Sequence, residues 1–228
     1  MDDAFQLNTH LHFGATVHIS CFRDKTNFYL YSNGISFKNI IALSANEGPI
    51  EPSMALFKIT PTIKFQSEEF LQNLIKERYE TQEPIKISEE QIKIFIDQFE
   101  FELGENNNLI NQQNKFPIKY NDDFMLQHIY SSKYLTYIKN ENSNEYILEL
   151  IEIPTKYSIF NFDSCFNYQK DINTYIPFNS AAFINLKIYV GLEIKDYYLN
   201  FKKESIFDTW ITSEEEKQQI SIGLYQSA

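Results

Sequence analysis

The sequence predicts a mostly β fold: a β-trefoil of three pseudo-repeats with a helix-turn-helix arm inserted between repeats one and two. Three observations predict it. Three segments alternate apolar and polar residues, break at a polar corner and resume. Each is followed, at variable distance, by a short stretch carrying a large aromatic residue. Between the first and second units lies an acidic stretch whose apolar residues recur with helical period instead.

The three segments are VHISCFRDKTNFYLYSNG (Val17–Gly34), FMLQHIYSSKYLTYIKN (Phe124–Asn140) and INLKIYVGLEIKDYYLNFKK (Ile184–Lys203). After its corner each resumes with an aromatic-Leu pair: Tyr29-Leu30, Tyr134-Leu135 and Tyr198-Leu199. The strands expected to complete the repeats are Leu56-Phe57-Lys58-Ile59, Ile159-Phe160-Asn161-Phe162 and Asp208-Thr209-Trp210-Ile211. Copies of so small a unit bury their inward residues by packing about a common axis, and closing the sheet removes its edges. An irregular β-sandwich is the competing arrangement, because short alternating strands serve both.

In Ser67–Glu80, the residues Phe70, Leu71, Leu74 and Ile75 share a helical face, with Glu68 and Glu69 at the positive end of the helix dipole. Ser88-Glu-Glu-Gln91 reads as a capping box that opens a second helix. Its apolar stripe is Ile92, Phe95, Ile96, Phe99 and Leu103, and Pro84 separates the two helices. Neither helix is long enough to be stable alone, so the stripes must pack on each other or on something else. The arm spans about residues 67–105, and the polar run ENNNLINQQN (Glu105–Asn114) reads as a loop. One trefoil domain is expected over residues 1–212. Residues 213–228 are then a tail, or the start of a following domain, because ISIGLYQSA (Ile220–Ala228) looks like another opening strand.

Charge narrows the partners. The chain carries a net charge of −11, and Ser67–Glu105 holds eleven acids against four bases, hence −7 of the total. Nucleic acids and anionic membranes both demand clustered Lys and Arg, so neither is an expected partner. No apolar run approaches the roughly 20 residues of a membrane-spanning helix. MDDAFQLNTH lacks the basic-then-apolar order of a signal peptide. Cys21 and Cys165, far apart and without CxxC spacing, read as buried free thiols of a cytoplasmic protein.

Candidate chemistry is sparse. His10 and His12, with His18 or Cys21, match no structural zinc spacing and read as polar residues at a strand edge. His128 beside Ser131 and Ser132 lacks a GxSxG elbow, and the polar cluster Gln127–Lys133 reads as a hairpin corner whose side chains satisfy local backbone. Asp122-Asp123 and Glu68-Glu69 read as turn and capping positions. Arg23, Arg78 and Lys202-Lys203 are too few and too scattered to converge on a phosphate. No catalytic, metal or small-molecule site and no cofactor is expected.

The order Lys115, Ile118, Tyr120, Leu126, His128, Ser132-Lys133-Tyr134-Leu135-Thr136 resembles the second repeat of the N-terminal domain of inositol 1,4,5-trisphosphate receptors. It is similar, more distantly, to ryanodine receptors and to MIR trefoil modules. Leu11-His12-Phe13-Gly14 with Val17-His18-Ile19 resembles that domain's first strand, and Leu56-Phe57-Lys58-Ile59-Thr60-Pro61 the strand leading into its arm. Ser158-Ile159-Phe160 and Thr209-Trp210 sit where the family closes its second and third repeats.

The resemblance implies a regulatory module, the suppressor domain, which lowers ligand affinity and contacts neighbouring domains and subunits of a calcium-release channel. It also implies a place on the cytosolic face of the endoplasmic reticulum and a trisphosphate site in domains beyond this one. Phe95 and Phe99 on the arm are the first candidate contact residues. The family's aromatic loop matches Ser158–Ile172, where Asn161 and Cys165 depart from the pattern and Phe166 and Tyr168 stand in. Two other functions fit the fold: a free-standing structural adaptor in a large assembly, and a carbohydrate-binding MIR-type trefoil.

Overall fold

The computed structural model describes residues 9–33, 41–44, 51–80, 88–139, 146–165, 174–190, 193–202, 209–213 and 219–224. Repeat one contains β1 (Thr16–Arg23), β2 (Thr26–Tyr31), β3 (Ile41–Ser44) and β4 (Leu56–Pro61). Two helices follow, α1 (Gln66–Glu80) and α2 (Glu89–Gln113). Repeat two contains β5 (Asp123–His128), β6 (Tyr134–Lys139), β7 (Tyr146–Ile151) and β8 (Phe160–Ser164). Repeat three contains β9 (Ala181–Val190), β10 (Glu193–Lys202), β11 (Thr209–Ser213) and β12 (Ile220–Leu224).

Six strands close an antiparallel barrel. β1 pairs with β4, β4 with β5, β5 with β8, β8 with β9, β9 with β12, and β12 returns to β1. The other six form hairpins β2–β3, β6–β7 and β10–β11. These hairpins meet at one end, where β11 pairs with β3 at Thr209–Ile41 and with β7 at Ile211–Ile147. The fold is a β-trefoil with a helical arm between repeats one and two, and a single closed barrel leaves no place for two stacked sheets.

At the opposite side of the threefold, three buried peptide groups bond in a ring. Leu11 N–H donates to the Ile176 carbonyl (2.7 Å), Ile176 to Ile118 (3.0 Å) and Ile118 to Leu11 (2.8 Å). All three side chains are fully buried. Three residues further on in each repeat, Gly14, Asn121 and Asn179 adopt φ of 87°, 67° and 56°. Gly and Asn tolerate this left-handed region best. Their N–H groups donate to Ile59, Phe162 and Ile222 (2.7, 3.0 and 3.1 Å), tying the start of each repeat to its own fourth strand. The sequence carries the same motif three times, as LHFG, IKYN and IPFN.

Inside the barrel, the aromatic-Leu pairs place Leu30, Leu135 and Leu199 at equivalent, fully buried positions. Phe124 stacks on Phe162 at 4.2 Å between ring centroids, and Phe57 and Phe160 fill further core sites.

Three expectations differ from the structure. The sequence places the fourth strand of repeat three at Asp208–Ile211, but β11 is the third, following β10 as β3 follows β2. The fourth strand is β12, from the segment expected to lie beyond residue 212 as a tail or a new domain. Its pairing with both β1 and β9 supplies the last stave of the barrel. Glu105–Asn114 is helical rather than a loop, since α2 continues to Gln113.

Closure depends on a tight fit between β12 and β1. Gly223 lies opposite His18, and any Cβ at Gly223 would collide with the imidazole. The ring of His18 also meets Tyr29 edge-on at 5.4 Å, so it has little room to retreat. Gly223→Ala is therefore expected to cost about 1–3 kcal/mol through overpacking. In a double-mutant cycle read by urea denaturation, His18→Ala should recover much of that loss. Additive losses would show that the collision is relieved elsewhere.

Candidate functional site

The arm begins at a capping box: Ser88 Oγ accepts from Gln91 N–H (3.2 Å), while Gln91 Oε1 accepts from Ser88 N–H (3.0 Å). Packing between the helices centres on Phe70 and Phe95, whose ring centroids lie 4.7 Å apart. Along α2 the inward face runs through Ile92, Phe95 and Phe99 and then turns polar at Glu102 and Asn106, both buried. Lys64 N–H donates to Asn106 Oδ1 (2.8 Å), and Asn106 Nδ2 donates back to the Lys64 carbonyl (2.7 Å). The amide thus pairs with the backbone as a neighbouring strand would, which satisfies both groups. Both oxygens of Glu102 accept from Ser67 N–H (3.3 and 3.2 Å), so a carboxylate faces the positive end of α1. Nearby, burial first and the Glu102 charge second hold the Glu68 carboxyl above its ordinary range.

The apolar residues of the arm divide between two faces. Phe95 and Phe99 are half-buried, whereas Ile96 and Leu103, expected on the inward stripe, are exposed. Ile94 (53%), Phe101 (69%) and Phe70 (47%) are also exposed. Burial of the polar pair Glu102 and Asn106 rotates the inward face away from Leu103. An acidic surface studded with large apolar side chains results.

At its far end, α2 is fastened to the barrel. Asn114 N–H donates to Ile110, and Lys115 takes φ 72° and donates to the Phe13 carbonyl (2.8 Å). Phe13 N–H in turn donates to Phe116 (3.0 Å). Gly14 sits against the Asn114 side chain, with no space for a Cβ between them.

The polar corner at Gln127–Lys133 is structural. His128 is fully buried; its Nε2–H donates to the Met54 carbonyl (3.1 Å), which leaves Nδ1 to accept from the Ser131 hydroxyl (2.9 Å). Ser132, at φ 59°, donates from its N–H to the His128 carbonyl (2.8 Å), and Gln127 Nε2 donates to the Ser132 carbonyl (3.0 Å). The imidazole clamps the β5–β6 corner to the chain before β4. Burial pushes its pKa below 6.5, an effect the Met54 carbonyl opposes in part.

The remaining candidates are dispersed. His10 lies edge-on to Tyr175 and His12 to Phe178, each beside a bridge of the threefold ring. Among the described residues no cluster of three His, Cys, Asp or Glu could hold a metal ion, and no helix is long and apolar enough to cross a membrane. Asn161, expected in an aromatic loop, is buried in β8 opposite Asp123 and Asn185. Neither Cys21 nor Cys165 is in a disulfide; Cys21 is buried and Cys165 half-buried rather than fully so. Burial, with Asp163 adding to it, pushes the Cys165 thiol up to about 11, which leaves it a poor nucleophile at neutral pH. Phe166 and Tyr168 lie outside the described residues.

A closed trefoil with an acidic, apolar-studded arm between its first two repeats defines a class, the arm-bearing β-trefoil domains. The family described as inositol 1,4,5-trisphosphate/ryanodine receptor matches residues 6–146, more than half of the sequence, and the chain belongs to that family. The match takes in repeat one, the whole arm and repeat two as far as the first residue of β7. Membership makes this a regulatory domain of the channel type, for which contacts with other proteins of a channel are the implied mode of action. No curated protein matches the chain.

Two outcomes test this account of the arm root and the corner. Gly14→Ala adds both a strained φ and a collision with Asn114, and should cost about 1–3 kcal/mol. Faster hydrogen exchange at the Lys115 amide should accompany it. For His128, the unfolded chain binds a proton near pH 6.5 while the folded one resists until lower pH. Stability from this group is therefore complete above pH 6.5 and declines as pH falls through that value toward the folded pKa. The urea midpoint should drop between pH 7.5 and 5.5, and His128→Gln should shrink that drop; an equal drop in the variant would refute the assignment.

Proposed function

We propose that the chain acts as the N-terminal regulatory domain of an inositol trisphosphate receptor-type calcium-release channel, without catalysis or a small-molecule ligand of its own. In this reading it lowers the ligand affinity of the domains that follow it, through contacts that differ between two states of the assembly. Its partners are other domains or subunits of the channel, on the cytosolic face of the endoplasmic reticulum. Phe95 and Phe99 brace the contact surface of the arm, and Phe166 and Tyr168 supply a second contact.

The observation that carries this reading is the family match across the complete arm, combined with large apolar side chains at that arm's surface. Single exposed apolar residues are ordinary on any protein. Five on two helices, Phe70, Ile94, Ile96, Phe101 and Leu103, suggest a surface that another protein covers. Family membership favours this function over a free-standing adaptor and over glycan binding.

The test is to place the chain ahead of the trisphosphate-binding core of a family receptor and measure ligand affinity with and without it. Several-fold weaker binding in its presence is expected. Phe99→Ser should restore affinity while the barrel's thermal melt is unchanged. Equal affinities with and without the domain would sink the suppressor role.

A further inference from the structure

One flank of the arm is built differently from the rest. Between α2 and the Lys64–Ser67 segment that leads into α1 runs an open groove enclosing about 530 Å³. Ile94 and Phe101 stand along it seven residues apart, two helical turns on one stripe, and both are more than half exposed. Asp97 lies between them and Glu105 one turn beyond, so acids alternate with apolar anchors.

Two pairs of groove residues are already engaged. Glu102 is bonded to the first turn of α1 through Ser67, which leaves no place for an anion at that helix terminus. Lys64, the one base among the described residues that line the groove, pairs with Glu105 at 2.6 Å in a solvent-exposed bridge of the kind that contributes little and yields readily. Asp97 has no ion pair among the described residues. In sequence, the Ser67–Glu105 segment carries eleven acids against four bases, a net −7.

We propose that this groove is the docking site for a basic amphipathic helix of a protein partner. Such a helix would set an apolar side chain between Ile94 and Phe101 and direct Lys or Arg toward Asp97 and Glu105. The proposal rests on the reading of the arm as a protein contact and adds the chemistry of what it contacts. Charge complementarity selects the partner: an acidic segment would be repelled, and an anionic lipid surface likewise. The groove is also open along its length, unlike the concave site that encloses a small molecule. Phe101, the most exposed aromatic among the described residues of the arm, supplies the anchor expected of an interface centre.

The experiment uses the full chain and two synthetic helices, one of Leu and Lys and one of Leu and Glu with the same pattern, in fluorescence anisotropy at low and physiological salt. The Leu/Lys helix should bind, more weakly as salt rises, and the Leu/Glu helix should not. Phe101→Ser and Asp97→Lys should each weaken binding about tenfold, near 1.4 kcal/mol. Phe22→Ser and Asp24→Lys, at exposed sites on and beside β1, should leave it unchanged. Equal weakening by these two controls, binding of the Leu/Glu helix, or no binding of the Leu/Lys helix would each overturn the proposal. Suppression measured in the receptor fusion separates the two readings. If suppression persists while the groove variants have no effect, the docking site alone is wrong; if peptide binding maps to the groove without suppression, the regulatory role alone is wrong.

Discussion

Leu11, Ile118 and Ile176 each give a buried backbone N–H to the carbonyl of another repeat, and together they close a ring around the pseudo-threefold axis. A buried peptide group left unpaired is costly, so this ring is satisfied only when all three repeats are in place. The left-handed residues Gly14, Asn121 and Asn179 follow from it, since the chain must turn sharply to leave the axis and begin a barrel strand. Their N–H groups then reach Ile59, Phe162 and Ile222, so the ring also sets where each repeat's fourth strand lies. Barrel closure, core filling and the position of the arm all inherit their geometry from these few peptide groups.

The arm is attached to this ring unequally. Its α2 end runs through Asn114 and Lys115 straight into the residues that bond Phe13 and Leu11. Its α1 end departs from β4 and is held by the amide of Asn106 and the carboxylate of Glu102. Polar side chains on the inward face thereby do work that apolar ones could not, because they satisfy backbone groups between β4 and α1. The consequence is compositional: apolar residues such as Leu103 and Phe101 are left on the outside, among acids.

Much of the fold was legible in the sequence. Alternation, polar corners and the aromatic-Leu pairs identified three repeats, and a helical period identified the arm. Repeat three is hard to align by sequence because Trp210 imitates the aromatic residue of the true fourth strands, whereas ISIGL carries none. The LHFG, IKYN and IPFN motif would have corrected this, but four residues with one shared aromatic are a faint signal. The composition of ENNNLINQQN suggests a loop, although Ile110 falls eleven residues after Phe99 and extends the same stripe. What holds Asn106 in a helix is the backbone of Lys64, 42 residues away, and no local pattern encodes that. At the corner, His128 bonds a backbone carbonyl, but that of Met54, 74 residues distant, and not a local one as the sequence suggests. On the arm, residue type revealed that apolar side chains abound; which of them face outward depended on tertiary packing.

The pairing of β12 with β1 has a kinetic side. The first described strand, β1, finds one of its three partners only when nearly the last described residue has been made. During synthesis, where N-terminal segments emerge first, one edge of β1 stays open while some two hundred residues are added. Contacts of such sequence separation make a fold slow to form, and an unpaired strand edge is a template for the wrong partner. Phe22, Arg23, Asp24 and Lys25 place a charged turn at the end of that waiting strand, the kind of feature that discourages another chain from adding to it. For this domain, assembly is timed by its C-terminal strand.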